Sequence, residues 1–240
     1  MQSLSRIIAA MMVAGGLCMA GFFPGYFYYQ SKFNNNSVVV KGLSEQDVKA
    51  DLAVWRLRFT VTDNDLNLAQ QQITEQAEKV EAFLQKQGFK PEEITTARIE
   101  TNDLMANPYR GSEAASSRFI LSQTITVKTN RVELVEQALP QSNALIAEGI
   151  IFENNYTDPV SYIFTGLNDI KPQMLADATY NAKSAAEEFA KNSGSKVGKI
   201  RHANQGVFSI LPAEEINGSV ESQQINKKVR VVSTIEYWLE

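Results

Sequence analysis

"LADATYNAKSAAEEFAKNSGSKVGKI", residues 175–200, is an alanine-rich run that closes on two glycines, Gly194 and Gly198, with Lys199 directly after the second. A phosphate-cradling loop needs four residues between its glycines, then Lys and a hydroxyl residue, and a strand that feeds a helix whose N-terminus faces the phosphate. Here three residues separate the glycines and Ile200 stands at the hydroxyl position. The segment before the loop is helical, so it presents its negative C-terminal end. The stretch therefore predicts a helix that stops at Gly194 and a turn at Gly198 into a strand. Leu175, Ala178, Ala182, Ala185 and Phe189 recur three and four residues apart and mark the buried stripe. Its small residues let the helix lie close to a sheet.

Upstream, strand signals come in pairs, each followed by a helix signal. "SVVVKGL" is a short apolar run, and "ADLAVWRLRFTV" alternates with Ala53, Trp55, Leu57, Phe59 and Val61 on one face. From Leu66 to Gln87 the period changes to 3.6, with Ile73, Ala77, Val80 and Leu84 on one stripe and Gly88 as the stop. "ITTARIETNDL" and "SRFILSQTITVKT" form the second pair, the latter with Phe119, Leu121, Ile125 and Val127 on its apolar face. The loop "ANPYRGSEAASS" around Arg110 separates them. Asn130 with Glu133 reads as a capping pair for the helix "RVELVEQALPQS", which Pro140 shortens.

"GIIFENNY" and "VSYIFTGL" form a third pair around Asp158-Pro159, and the alanine helix follows over about 171–192. "KIRHANQGVFSI" and "KVRVVSTIEYWLE" are the last strands, joined by a polar loop around Gly218. The class is α+β: strand-strand-helix units with helices packed on antiparallel or mixed sheets. The final strand, with Val231, Ile235 and Tyr237 on one face and Val232 and Trp238 on the other, is too apolar for a lone solvated edge. It fits either an edge that pairs with a second chain or a central strand buried on both faces.

The N-terminus is of another kind. Residues 7–29, "IIAAMMVAGGLCMAGFFPGYFYY", carry no charge and are long enough to span a bilayer. "CMA" before Gly21 is a passable signal-cleavage site, but the aromatic continuation suits a membrane interface better than a mature start. Leu17 before Cys18 speaks against lipoprotein processing. The expected organisation is a transmembrane anchor or signal peptide at 1–29, a polar linker at 30–37, and an exported domain at 38–240. The expected location is the bacterial inner membrane, single-pass, with the domain in the periplasm. Release to the periplasm or outer membrane after cleavage is the alternative.

Chemistry is sparse. Of 240 residues, 44% are hydrophobic and 21% charged, which suits a globular chain, and the net charge of −4 offers no field for nucleic acid. The basic cluster Lys227, Lys228 and Arg230 reads as a solvated strand start. His202 is the only histidine and Cys18 the only cysteine, so His-Cys catalysis and most transition-metal sites fail on count. The pairs Glu92-Glu93, Glu187-Glu188 and Glu214-Glu215 are sequence neighbours whose side chains diverge. "DNDLN", 63–67, imitates a calcium loop but has Leu68 at the glycine position and Thr74 at the bidentate one, so it reads as a helix cap. No catalytic, cofactor or metal residue emerges, and no cofactor is expected.

"VVVKG", "FLQKQGF" running into "ITTARIE", and above all 175–200 resemble the SIMPL-domain family of bacterial periplasmic and outer-membrane-associated proteins. The resemblance covers nearly everything from Val38 onward and rests on apolar and glycine positions, so it implies a fold and no site. It also implies an envelope protein, some of whose relatives assemble into ring-like, channel-like homo-oligomers. The uncleaved N-terminus departs from the secreted members. The leading expectation is a non-enzymatic, tethered module acting by self-assembly or by binding envelope partners. An enzyme or a small-ligand or peptide carrier, with a site formed only on folding, is the rival.

Overall fold

The computed structural model describes residues 2–33, 36–106, 117–153, 160–214 and 220–240. Helix α1 (Gln2–Phe33) contains the apolar window Met11–Tyr29, none of it buried against the rest of the chain. It is long and apolar enough to cross a membrane and fits a signal anchor or a signal peptide. The helix continues to Phe33, into the first residues of the 30–37 linker. The chain then divides into two compact units. One comprises Met1–Ser44, Gln173–Phe208 and Val231–Glu240, and the other Glu45–Pro172 and Ser209–Arg230.

The second unit is built on β2 (Leu52–Asp63), whose alternation is realised in full: Ala53, Trp55, Leu57, Phe59 and Val61 are all buried. β2 pairs antiparallel with β5 (Phe119–Thr129) over its whole length and, at 52–55, with β6 (Val160–Ile163). β3 (Ile94–Thr96) and β4 (Glu100–Asp103) both pair antiparallel with β5. Helix α2 (Leu66–Lys86) covers the core face with Ala69, Ile73, Ala77, Val80 and Leu84. Short helices α3 (Val132–Ala138) and α4 (Asn143–Ala147) add Val135 and Leu145 to the same core. Trp55 meets Phe89 edge to face, centroids 6.2 Å apart.

In the first unit the sheet order is β1 (Ser37–Lys49), β9 (Asn226–Leu239), β7 (Val197–Gln205), and helix α5 (Leu167–Ser193) packs on β1 and β9. Val38, Ala182, Ala186, Ile235 and Tyr237 form its core. In the second unit, β8 (Ser209–Pro212) pairs with the start of β9, from Ser209 opposite Arg230 to Pro212 opposite Lys227. Gly194 takes φ +72°, and the Ser195 N–H returns to the Ala190 carbonyl at 2.9 Å, so the quoted stretch does end as a helix stop.

Four local expectations change, and one choice left open is decided. The buried row of α5 is Met174, Ala178, Ala182, Ala186 and Ala190, with Phe189 52% exposed. A strict four-residue row advances about 40° per step around a helix, which follows a twisted sheet, and from Ala178 onward the row is made of methyl groups, which suit the close approach. Asn130 does not cap α3: its amide donates to the Asp51 carbonyl at 2.8 Å, Arg131 is the N-cap residue, and Glu133 pairs with Lys49 at 2.5 Å. The strand read over 199–210 is two strands, β7 ending at Gln205 and a second one beginning at Ser209, with the Gly206 N–H still bonded to the Val232 carbonyl at 2.9 Å. The strand read over 149–156 is reduced, in its described part, to a bridge between Phe152 and Phe59. Finally, β9 is central in its sheet, flanked by strands on both sides, with the Val231, Ile235 and Tyr237 face buried and the Val232 and Trp238 face half-buried. The loops around Arg110 and Gly218, the Asp158-Pro159 step and Glu215 lie outside the described residues.

Candidate functional site

The polar residues singled out in the sequence are mostly engaged in holding the fold. In 63–67, Asp65 accepts the Asn67 and Leu68 N–H groups at 2.8 and 3.4 Å, the geometry of a helix N-cap. Glu92 lies 3.9 Å from Lys90, and Glu187 lies 3.6 Å from Lys183. Glu93 takes the Arg131 guanidinium, the Thr129 hydroxyl at 2.6 Å and the Lys90 N–H at 2.8 Å. Burial opposes its ionisation, but these donors prevail and bring its pKa down to about 2. Among the described residues, no three His, Cys, Asp or Glu side chains stand close enough to hold a metal ion.

Lys227 departs from its expected solvation. It is fully buried on the inward face of β9, and its ammonium donates to the Glu221 carbonyl at 2.6 Å and to the Glu221 carboxylate. An unpaired ammonium could not occupy that place, so the charge pins the turn Glu221–Gln223 to the strand. Arg230 stands 3.6 Å from Glu45.

Two polar constellations occupy sheet faces. In the second unit, the Glu153 carboxylate collects Arg58 Nε at 2.7 Å, Thr60 Oγ1 at 2.5 Å and Ser122 Oγ at 2.7 Å, while Arg58 Nη2 reaches Glu100 at 2.8 Å. Burial works against the charge of Glu153, yet the three donors hold it below the ordinary carboxylate range. A carboxylate held ionised in this way is a poor proton donor. An open groove of about 520 Å³ in the same unit is lined by α2 and α4 residues including Lys79, Phe83, Lys86 and Glu148, so its wall carries both signs of charge.

In the first unit the constellation lies on β7. Ile200 faces Tyr237 and His202 faces Glu236, so two steps on β7 match one on β9, and Arg201 is the extra residue of a bulge. Its guanidinium stacks 4.5 Å above the Trp238 ring and donates to Glu236 at 2.8 Å. Ser37 on β1 donates to the same carboxylate oxygen at 2.6 Å and is the main reason why Glu236 titrates low; burial resists and Arg201 assists. His202 is thus an exposed histidine beside a carboxylate already engaged. Every residue from Lys199 to Gln205 is solvent-exposed on both faces of β7, the edge strand of the order β1-β9-β7. Sequence reasoning missed this edge because 199–210 read as one strand of ordinary composition.

No curated protein is similar enough to the chain to count as a match. A family model does match, over residues 38–235, under the description "Protein of unknown function (DUF541)". That span takes in both sheets, the alanine row of α5 and the bulged edge, and by it the chain belongs to the SIMPL family.

Proposed function

We propose that the chain is a single-pass protein of the bacterial inner membrane, held by α1, whose periplasmic part works by assembling with copies of itself and carries out no catalysis. The observation that carries this reading is β7: an ordered edge strand exposed on both faces from Lys199 to Gln205, with no strand paired to its outer side among the described residues and Ile200 52% exposed. An antiparallel pairing of β7 with itself about Arg201 would oppose two guanidiniums, which is unfavourable. Pairing of β7 with the β1 edge of the next copy avoids that clash. Such head-to-tail contacts close into rings or extend into fibres. Family membership and the apolar α1 support the envelope part of the reading.

Light scattering on the full chain in mild detergent tests the assembly. The expected protein mass is a multiple of 26.7 kDa, and the double substitution Ile200→Lys and Asn204→Lys, which charges the edge, returns it to one copy. A wild-type particle that stays monomeric at high protein concentration defeats the proposal.

A further inference from the structure

The end of the first unit's sheet from which α1 departs has a chemistry of its own. The Leu239 N–H donates to the Asn36 carbonyl at 2.9 Å, and Lys196 and Glu240 exchange backbone hydrogen bonds of 2.7 and 2.8 Å. Asn36, Lys196 and Glu240 therefore line one end of the sheet. Helix α5 ends there as well, which brings Lys191 to the same place. Lys191, Lys196 and Lys199 are all exposed, and none has an ion-pair partner among the described residues, whereas Lys183 and Arg201 of this unit are paired. Phe189, two residues before Lys191, is 52% exposed. Glu188 lies three residues before Lys191 and Glu240 pairs through its backbone with Lys196, so two carboxylate side chains stand against three lysines.

Covalent geometry fixes how far this end can be from the bilayer. From Tyr29 to Phe33 the helix rises about 6 Å, and from Phe33 to Ser37 the chain reaches at most about 14 Å. The sheet end is thus confined to within about 20 Å of the hydrocarbon edge, a distance that includes a headgroup layer about 5–7 Å thick. Tethering at that range makes even weak ammonium–phosphate contacts effectively intramolecular.

We infer that this end of the first unit rests on the anionic lipid headgroups of the bilayer that holds α1, with Lys191, Lys196 and Lys199 on the phosphates and Phe189 at the interface. The inference rests on the reading of α1 as an anchor. It concerns the end of the sheet, while the proposed assembly uses its long edge.

The test reconstitutes the full chain in nanodiscs of phosphatidylcholine, or of the same lipid with a third replaced by phosphatidylglycerol. Lysine labelling by a membrane-impermeant amine reagent is then followed by peptide mass spectrometry. Labelling of Lys191, Lys196 and Lys199 is expected to slow about fivefold in the anionic discs and to recover in high salt. Lys171, about 30 Å away along α5, is expected to label equally in both. Equal rates at the three lysines overturn the inference while leaving the anchor standing. A chain that elutes apart from the discs refutes the anchor, and this inference with it. Protection that follows the number of chains per disc, and not lipid charge, gives this surface to a second copy and overturns the lipid assignment.

Discussion

At Gly42, β1 touches the backbone of α5: a methyl group there would stand 1.8 Å from the Ala178 carbonyl oxygen and 2.6 Å from the Ala182 nitrogen. Neither atom belongs to a flexible side chain, so relief requires the helix to move off the sheet. The Asn181 amide, which donates to the Leu43 carbonyl at 2.9 Å, would be pulled away with it. Gly42→Ala is expected to destabilise the first unit by about 3 kcal/mol or more, measured as a shift in the urea midpoint of the full chain. Ala185→Ser, on the exposed side of the same helix, is expected to leave the midpoint within about 0.5 kcal/mol. A glycine inside an apolar strand run signals close backbone approach, so the contact could be suspected from "VVVKGLS". Its partner could not, because Ala178 and Ala182 lie more than 130 residues away in sequence.

Elements differ in how openly they declare themselves. β2 and α2 each bury one side of an amphipathic pattern, and their inward residues read directly from periods of 2 and 3.6. β7 has no such pattern because neither face is covered from Lys199 to Gln205, and β9 carries apolar residues on both faces, one buried and one half-buried. Between elements, ion pairs do the joining: Glu93 ties the turn Pro91–Glu93 to Arg131 at the start of α3. Its folded pKa of about 2 lies below the ordinary 4.5, so the pair stabilises the fold above pH 4.5 and is lost as pH falls towards 2. At neutral pH, Glu93→Gln is expected to cost on the order of 2 kcal/mol. That gap to wild type should close between pH 4.5 and pH 2 in urea titrations. A gap independent of pH would mean that packing, and not charge, is what Glu93 contributes.

At the scale of the whole molecule the first question is whether α1 stays attached. Its apolar window runs unbroken from Met11 to Tyr29 past the Gly21 cleavage option, so chain recovered from membranes is expected to retain the residues before Gly21 by mass spectrometry. A mature start near Gly21 would make the protein a secreted one. Sequence alone determined the apolar N-terminus, the α+β class, the capped and glycine-stopped α2, the helix stop at Gly194 and the family. Each of these is a property of neighbouring residues, where period, cap and turn chemistry act over a few positions. Tertiary structure alone decided that β9 is central and β7 an edge, that alanines and not Phe189 face the sheet, that Lys227 is buried against Glu221, and that each compact unit is assembled from separate stretches of chain. These depend on which distant segments meet. A strand's own side chains state how much of it is covered but not by what, and close backbone approach selects small residues over the most hydrophobic ones.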